Sequence, residues 1–192
     1  QQKRRDFVSG KSPNIQTVLS YAQKASSASV SVLITGETGT GKEVLAKFIH
    51  QSGPRQTKPF IAVNCAAIQN TMLEAELFGY EAGAFTGAER KKFGLMEVAD
   101  GGVLFLDEIS SMPLDMQAKL LRAIESQSFR RVGGNLEVKV DVQIVAASNR
   151  NLPNLVEKHE FREDLFYRLR VVDLEIPPLR ERKEDIPELV GF

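Results

Sequence analysis

The sequence predicts an α/β fold in which helices cover both faces of a five-stranded parallel sheet. Short apolar runs alternate along the chain with segments of helical periodicity, a pattern typical of that layered arrangement. The 192 residues, 42% of them apolar, are enough for one domain with a sizeable core. The strand candidates are short, rich in β-branched or aromatic residues, and end at polar residues or glycine. They are Ser31–Thr35, Phe60–Asn64, Val103–Leu106, Val142–Ala147 and Val171–Ile176.

Apolar side chains at helical spacing predict two helices between these strands. One helix begins near Glu43 and the other begins just after Pro113. Their predicted core faces are Val44, Leu45, Phe48 and Ile49 in the first helix, and Met116, Leu120, Leu121 and Ile124 in the second. The alternating stretch 136–142, which follows two adjacent glycines, predicts a hairpin-like insertion before the fourth strand.

Charge and cysteine content narrow the function classes. Lys plus Arg equals Asp plus Glu at 25 each, so the net charge is zero and the chain has no global electrostatic footprint for DNA or membranes. The single Cys65 cannot form an internal disulfide, and we expect it to be a small buried packing group in a reducing cytoplasm. No apolar run is long enough to span a bilayer, and residues 1–5 lack the apolar stretch of a signal peptide. These features predict a soluble cytoplasmic protein.

A glycine-rich phosphate loop follows the first predicted strand and opens the helix after it. It reads Gly36-Glu37-Thr38-Gly39-Thr40-Gly41-Lys42. Glycines let backbone N–H groups wrap a phosphate chain, the helix start adds positive potential, and Lys42 can neutralise the outer phosphates. Glu43 stands where the generic pattern has the Ser or Thr that holds Mg²⁺. The loop predicts binding of a nucleoside triphosphate.

Two adjacent carboxylates, Asp107 and Glu108, end the third predicted strand. Open α/β sheets bind ligands at the carboxyl ends of their strands. Asp107 suits Mg²⁺, directly or through water, while Glu108 can orient and deprotonate the water that attacks the γ-phosphate. The alternative is a pair of solvated turn residues, but the presence of a phosphate loop in the same chain favours hydrolysis.

An aromatic-tipped loop, Gly83-Ala84-Phe85-Thr86-Gly87-Ala88, interrupts the chain between the phosphate loop and the acidic strand. Its glycines permit backbone angles that other residues resist, and Phe85 is too apolar to be left without a partner in water. We interpret the loop as a moving part. The alternative is that Phe85 folds back into the core as ordinary packing.

With these three motifs, the chain closely resembles the central AAA+ domain of the sigma-54-dependent transcriptional activators. The resemblance extends over nearly the whole chain, and Glu43 is usual in that family. Its motifs include 10–13, 60–67, 76–79 and 177–182 besides the loops already described. The resemblance implies the P-loop AAA+ large subdomain, with ATP and Mg²⁺ as ligands.

The resemblance also implies the partners. Phe85 and Thr86 would form the tip that contacts sigma-54 in the RNA polymerase holoenzyme, and the loop would move as the γ-phosphate is bound and lost. Longer chains of the family would assemble into rings of six or seven subunits and bind DNA through another domain. No membrane partner is implied. A second function class is a ligand-gated DNA-binding regulator that kept the fold but lost the motor; members of it typically lack an intact Gly83–Ala88 loop or the acidic pair.

Four further site residues follow from the resemblance. Asn64 would hydrogen-bond Glu108 and gate hydrolysis, although an Asn that caps a turn is the alternative. Asn149 would be a sensor that orients water or the γ-phosphate. Arg162 and Arg168 would be arginine fingers that reach a neighbouring subunit's nucleotide, whereas ion pairing with adjacent acidic residues is the alternative.

The sequence leaves the role of one basic pair open. Arg130 and Arg131 form a basic pair in the second insertion, and such a pair could contact polymerase, DNA or a neighbouring subunit, or be solvated surface. We expect residues 1–9 to be a linker, 10–179 to be the sigma-54 interaction domain, and 180–192 to be a solvated connector to a helical lid that this chain lacks. We therefore expect weak nucleotide binding or none, and no stable ring, from this chain.

Overall fold

A computed structural model describes residues 10–190, so the predicted linker 1–9 lies outside the described residues. The α-helices are α1 Pro13–Ala28, α2 Lys42–Ser52, α3 Asn70–Phe78, α4 Leu95–Val98, α5 Leu114–Ser126, α6 Leu152–Glu157, α7 Glu163–Leu169 and α8 Ile186–Val190. The strands are β1 Val32–Thr35, β2 Phe60–Asn64, β3 Gly79–Tyr80, β4 Lys92–Phe93, β5 Val103–Asp107, β6 Ser128–Arg130, β7 Glu137–Lys139, β8 Gln143–Ser148 and β9 Val172–Glu175. Short 3-10 helices lie at Ile109–Ser111, Leu179–Glu181 and Lys183–Asp185.

The five predicted strands form one parallel sheet in the order β2-β5-β8-β1-β9, which confirms the predicted fold. Their ends differ from the prediction by no more than one residue, and β2 matches it. Thr35 pairs with Ser148 on one side and Glu175 on the other, while Asn64 pairs with Asp107. The register therefore brings the carboxyl ends of all five strands to one edge, the edge at which such sheets bind ligands.

Two apolar cores lie on opposite faces of the sheet. Successive residues of β1 alternate between them: Leu33 packs in one core, whereas Val32 and Ile34 pack in the other. Helices α1 and α2 cover the face that contains Ile34, while α3, α5, α6 and α7 contribute to the opposite core. The predicted apolar faces of α2 and α5 are largely confirmed. Val44 is the exception, because it is 39% exposed and lies outside both cores.

Two antiparallel hairpins interrupt the α/β order. Strands β3 and β4 form the first, and β6 and β7 form the second, which confirms the hairpin predicted before the fourth sheet strand. The first hairpin lies between β2 and β5 in the chain, and the second lies between β5 and β8. Both insertions therefore flank the strand that ends in Asp107.

Residues 180–185 are largely exposed, as the charge pattern predicted, but three of their charged side chains also have partners elsewhere in the domain. Arg180 donates to both carboxylate oxygens of Glu37, at 2.8 and 2.6 Å, and Arg182 donates to the Thr40 carbonyl at 2.8 Å. Asp185 is 1% exposed and accepts hydrogen bonds from the backbone and side chain of Ser12, each at 2.8 Å. This part of the connector is packed onto the domain, because its charges meet partners far away in sequence.

Cys65 is buried in the core, as predicted for a packing group. Within residues 10–190, no helix is both long and apolar enough to cross a membrane.

Candidate functional site

The phosphate loop joins β1 to α2 at the carboxyl edge of the sheet. Gly39 and Gly41 have φ values of +81° and +98°, and a Cβ added to either would meet nothing within 4 Å. Glycine is therefore required by backbone conformation, and space stays open beside the loop. Lys42 is buried, and its Nζ donates to the carbonyls of Gly36 and Glu37, each at 2.9 Å. Glu43 pairs with Lys47 one turn along the exposed side of α2, at 2.8 Å.

A cavity of about 410 Å³ opens beside this loop. One part is polar and is formed by the loop and by two arginines of the connector, while the other part is apolar. The apolar lining consists of Ile15, Leu19, Val44, Leu45, Ile176, Pro178, Leu179 and Leu189. Val44 was predicted to be core, but its place in this lining explains why an apolar residue is exposed there. The cavity thus combines a phosphate-binding backbone with an apolar surface, as ligand pockets commonly do.

The acidic pair lies at the end of β5, and Glu108 has a strained backbone. Its φ of +51° is in the left-handed region, which costs a non-glycine residue on the order of 1 kcal/mol. The Asp107 carboxylate accepts the Glu108 N–H at 3.0 Å and stabilises this turn. Strain of this kind concentrates at functional sites. No residue pattern in the sequence indicated it, because glycine is the usual signal for a left-handed turn.

Cys65 reports on the electrostatics of this edge. Its N–H donates to the Asp107 carbonyl at 2.9 Å. Burial, and to a smaller extent the negative charges of Asp107 and Glu108, together raise the pKa of the Cys65 thiol to about 12. The thiol is therefore neutral and inert at neutral pH, which agrees with a packing role.

Asn64 and Asn149 occupy the ends of two sheet strands. The side-chain Oδ1 of Asn64 accepts hydrogen bonds from the backbone N–H groups of Ala66 at 2.9 Å and Ala67 at 3.2 Å, so the side chain caps a turn here. Its gating of Glu108 stays a prediction. Asn149 donates to the Thr38 hydroxyl at 3.1 Å. The structure therefore brings Asn149 to the phosphate loop, where a sensor was predicted.

Among residues 10–190, neither predicted arginine finger makes a hydrogen bond or ion pair to the phosphate loop of its own chain. Arg162 forms a bidentate pair with Asp164, at 3.0 and 2.7 Å, and this hydrogen bonding lowers the pKa of the Asp164 carboxyl. Arg168 is exposed near the end of α7 and lines a cavity with Arg55 and Gln143. Gln143 begins β8, so that cavity lies at the opposite edge of the sheet. In this structure Arg162 therefore forms the ion pair with an adjacent acidic residue that was the alternative to a finger role. A role of Arg162 and Arg168 in a neighbouring subunit stays a prediction.

The Gly83–Ala88 loop closes on itself through its backbone. Gly83 N–H donates to the Ala88 carbonyl at 2.7 Å, and both glycines of the loop have positive φ. Phe85 is 40% exposed, and its ring packs edge-on against Tyr80 with centroids 4.9 Å apart. The core-packing alternative for Phe85 is wrong, because the ring lies on the surface with one aromatic neighbour.

The second hairpin supports the first. Val132 exchanges backbone hydrogen bonds with the first hairpin, donating to Gly79 and accepting from Glu81, each at 3.0 Å. Arg131 was considered as half of an exposed basic pair, but it is only 7% exposed and bridges Glu81 at 3.0 Å and Glu97 at 2.7 Å. Arg130 is exposed. The buried guanidinium joins both hairpins to α4, a connection that depends on partners 50 and 34 residues away.

Comparison with known proteins agrees with this geometry. A sequence model of the family described as "Sigma-54 interaction domain" matches residues 8–175. The chain belongs to this family. Members of the family that it resembles include the DNA-binding transcriptional regulator NtrC of Escherichia coli, 53% identical over 95% of this chain and 39% of that protein. A Nif-specific regulatory protein of Azotobacter vinelandii is 52% identical over 97% of this chain and 36% of that protein.

Solved structures place this sigma-54 interaction domain among the P-loop AAA+ folds. NtrX from Brucella abortus in complex with ADP superposes with a TM-score of 0.87 at 41% identity, over 95% of this chain and 40% of that one. The complex of the same protein with ATP also has a TM-score of 0.87. The chain therefore spans about two fifths of the length of the relatives that it matches.

Proposed function

We propose that this protein hydrolyses ATP and uses the energy to remodel the closed complex of sigma-54 RNA polymerase, so that promoter DNA opens. One observation carries the proposal: a phosphate loop and an exposed aromatic residue, Phe85, occur in one domain. Phe85 belongs to one of two joined hairpins, and in the chain these hairpins flank the strand that ends at Asp107 and is followed by Glu108. NtrC of Escherichia coli is named a DNA-binding transcriptional regulator, and the relative FlbD of Caulobacter vibrioides is named a transcriptional regulatory protein. Such a regulator acts in the cytoplasm.

The chain's own residues fit ATP and Mg²⁺. Gly39 and Gly41 leave open space, and the two carbonyl partners of Lys42 can be exchanged for phosphate oxygens. Residues 10–190 contain no cluster of three His, Cys, Asp or Glu side chains that could hold a metal. Asp107 would therefore share Mg²⁺ with phosphate oxygens and water, which is the usual way this ion is held, and the ion supplies charge neutralisation. NtrX, solved with ADP and with ATP, supports the nucleotide assignment.

The hydrolytic step would use the strained turn after β5. The Glu108 carboxylate accepts a proton from the attacking water and orients that water toward the γ-phosphate. Asn64 regulates Glu108, and Asn149 senses the phosphate through the loop that it already contacts. Arg162 and Arg168 reach the nucleotide of a neighbouring subunit in a ring of six or seven, where a fixed positive charge stabilises phosphoryl transfer. Among the described residues, neither arginine makes a hydrogen bond to the phosphate loop of its own chain, which is compatible with this role.

Phe85 and Thr86 would contact sigma-54. Phe85 is exposed, and Thr86 is exposed beside it, whereas the rest of the loop is closed by backbone hydrogen bonds. The loop is therefore a defined surface rather than an unstructured segment. DNA would be bound by a part of the protein outside this chain, and no membrane is involved. A ligand-gated DNA-binding regulator without a motor is the second candidate, and an intact loop together with the acidic pair favours the motor.

The test is trapping of a complex with sigma-54. The full-length protein is mixed with sigma-54 and ADP plus aluminium fluoride, a transition-state mimic, and analysed by gel filtration. We expect co-elution that is lost in Thr86→Ala while ATP hydrolysis continues. Thr17→Ala is the control, since the exposed Thr17 hydroxyl only bonds the Pro13 carbonyl within α1. Hydrolysis without a complex in the wild type would indicate a different target.

A further inference from the structure

Two arginines of the connector hold the phosphate loop at two points. Arg180 forms a bidentate pair with the Glu37 carboxylate, but both side chains are more than half exposed, so the pair contributes little to stability. Arg182 donates its Nη2 to the Thr40 carbonyl at 2.8 Å, and its side chain is half-buried. Arg182 is therefore the stronger candidate for a specific role.

The contacts of Arg182 do not by themselves explain a gain in folding stability. Its Nε is buried and has no hydrogen-bond partner among the described residues. Buried polar groups are normally paired, and an unpaired one costs free energy. Asp185 attracts the guanidinium, but its carboxylate is already engaged by Ser12 at the start of α1. An apolar side chain of similar length would avoid this cost, so stability does not explain an arginine here.

The position of the Thr40 carbonyl has a direct consequence for the loop. A trans peptide is planar, with its carbonyl oxygen and its N–H pointing in opposite directions. Thr40 lies between Gly39 and Gly41, both in left-handed conformations that give this stretch unusual freedom. A donor that holds the Thr40 carbonyl on one side therefore directs the Gly41 N–H to the other side. Backbone N–H groups of this loop are the groups that bind phosphates.

We propose that Arg182 is a positioning residue for nucleotide binding, because it holds the Thr40 carbonyl and thereby orients the Gly41 N–H toward the phosphates. This role refines the proposed ATP-binding function and rests on it. It places part of the phosphate loop's preorganisation in the connector, 142 residues away in sequence. Preorganisation of this kind increases affinity by reducing the ordering cost on binding.

The experiment compares stability with ADP affinity in the full-length protein, because this chain alone is expected to bind nucleotide weakly or not at all. Arg182→Met keeps the length of the side chain and removes its donors. We expect its melting temperature to equal or exceed that of the wild type, whereas ADP affinity in calorimetry falls about tenfold. Amide exchange of the peptide that contains Gly41 should become faster. Arg182→Lys keeps one donor and should recover most of the affinity.

Arg55→Met is the matched control. Arg55 bonds the Gly102 carbonyl and both the carbonyl and carboxylate of Asp141, at the opposite edge of the sheet. We expect it to lower the melting temperature and leave ADP affinity unchanged, the reverse of the Arg182→Met result.

Three outcomes would decide against the proposal or its basis. Wild-type ADP affinity and Gly41 exchange in folded Arg182→Met would overturn the positioning role. If that variant does not fold, wild-type ADP affinity and Gly41 exchange in folded Arg182→Ala, which also removes the donors to the Thr40 carbonyl, would do the same. Failure of the wild type to bind ADP would instead contradict the proposed ATPase, while Gly41 exchange would still report on Arg182.

Discussion

The backbone of Gly133 lies directly against the side chain of Ala84, which joins the second hairpin to the Gly83–Ala88 loop. A Cβ added at Gly133 would be 2.7 Å from the Ala84 Cβ, and Gly133 has a φ of +72°. Both the space and the backbone conformation therefore require glycine. Because the hairpins also share hydrogen bonds through Val132, we expect a displacement of one hairpin to be transmitted to the other.

Gly133→Ala is expected to disturb the loop without harming the nucleotide site. The added methyl clashes with Ala84, and the left-handed φ costs about 1–2 kcal/mol. Complex formation with sigma-54 should fall, whereas ADP affinity stays at the wild-type value in calorimetry. Gly134→Ala is the milder control, since Gly134 has no positive φ and its Cβ would meet the Glu81 Cγ at 3.0 Å instead of Ala84. Equal sigma-54 binding by both variants would show that the contact with Ala84 has no functional consequence.

Arg131→Met should destabilise the fold. The substitution leaves Glu81 and Glu97 partly buried without their cation, and breaking a buried ion pair in this way costs roughly 2–4 kcal/mol. Urea unfolding measures the loss. Arg130→Met, on the exposed neighbour, should change stability by no more than about 0.5 kcal/mol. Adding Glu97→Gln to Arg131→Met should recover part of the loss, and no recovery would indicate that lost packing, not unpaired charge, dominates.

The thiol of Cys65 should make stability fall at high pH. Its pKa is about 12 in the folded chain against 9.0 ordinarily, so folding favours the protonated form. The resulting stabilisation is complete below pH 9 and is lost as the pH rises toward 12, because the unfolded chain releases this proton first. At pH 10.5 the loss attributable to Cys65 is about 2 kcal/mol. Urea unfolding of the wild type and of Cys65→Ala at pH 8 and pH 10.5 measures this contribution. Equal losses of unfolding free energy in both proteins would contradict the prediction.

Arg162→Ala separates the two roles considered for that residue. Its pair with Asp164 is exposed and contributes little to stability, so the Arg162→Ala monomer should unfold at nearly the wild-type urea concentration. If Arg162 completes a neighbour's site, the ATPase rate of the assembled full-length protein should fall at least tenfold. Asp164→Asn, which removes the partner and keeps the arginine, should retain hydrolysis. A wild-type ATPase rate in the assembled Arg162→Ala variant would show that Arg162 only forms its local ion pair with Asp164.

The sequence predicted those features that depend on neighbours in the chain. The sheet strands are buried apolar runs, so their positions follow from local composition, and the phosphate loop is a continuous motif. The arrangement of Arg131 could not be predicted, because Glu81 and Glu97 come close only after the hairpins form. The same reason applies to the Arg180 pair with Glu37, which lies 143 residues away. The left-handed turn at Glu108 was missed because a carboxylate does not reveal backbone strain.

The edge-on contact between Phe85 and Tyr80 also bears on solubility. Exposed aromatic rings promote aggregation when they meet other apolar surfaces in solution. Tyr80 packs against the Phe85 ring and leaves 40% of the residue exposed, and it does so from a strand that belongs to the same hairpin. The domain can therefore keep the Phe85 side chain exposed and still limit aggregation between free copies in a crowded cell.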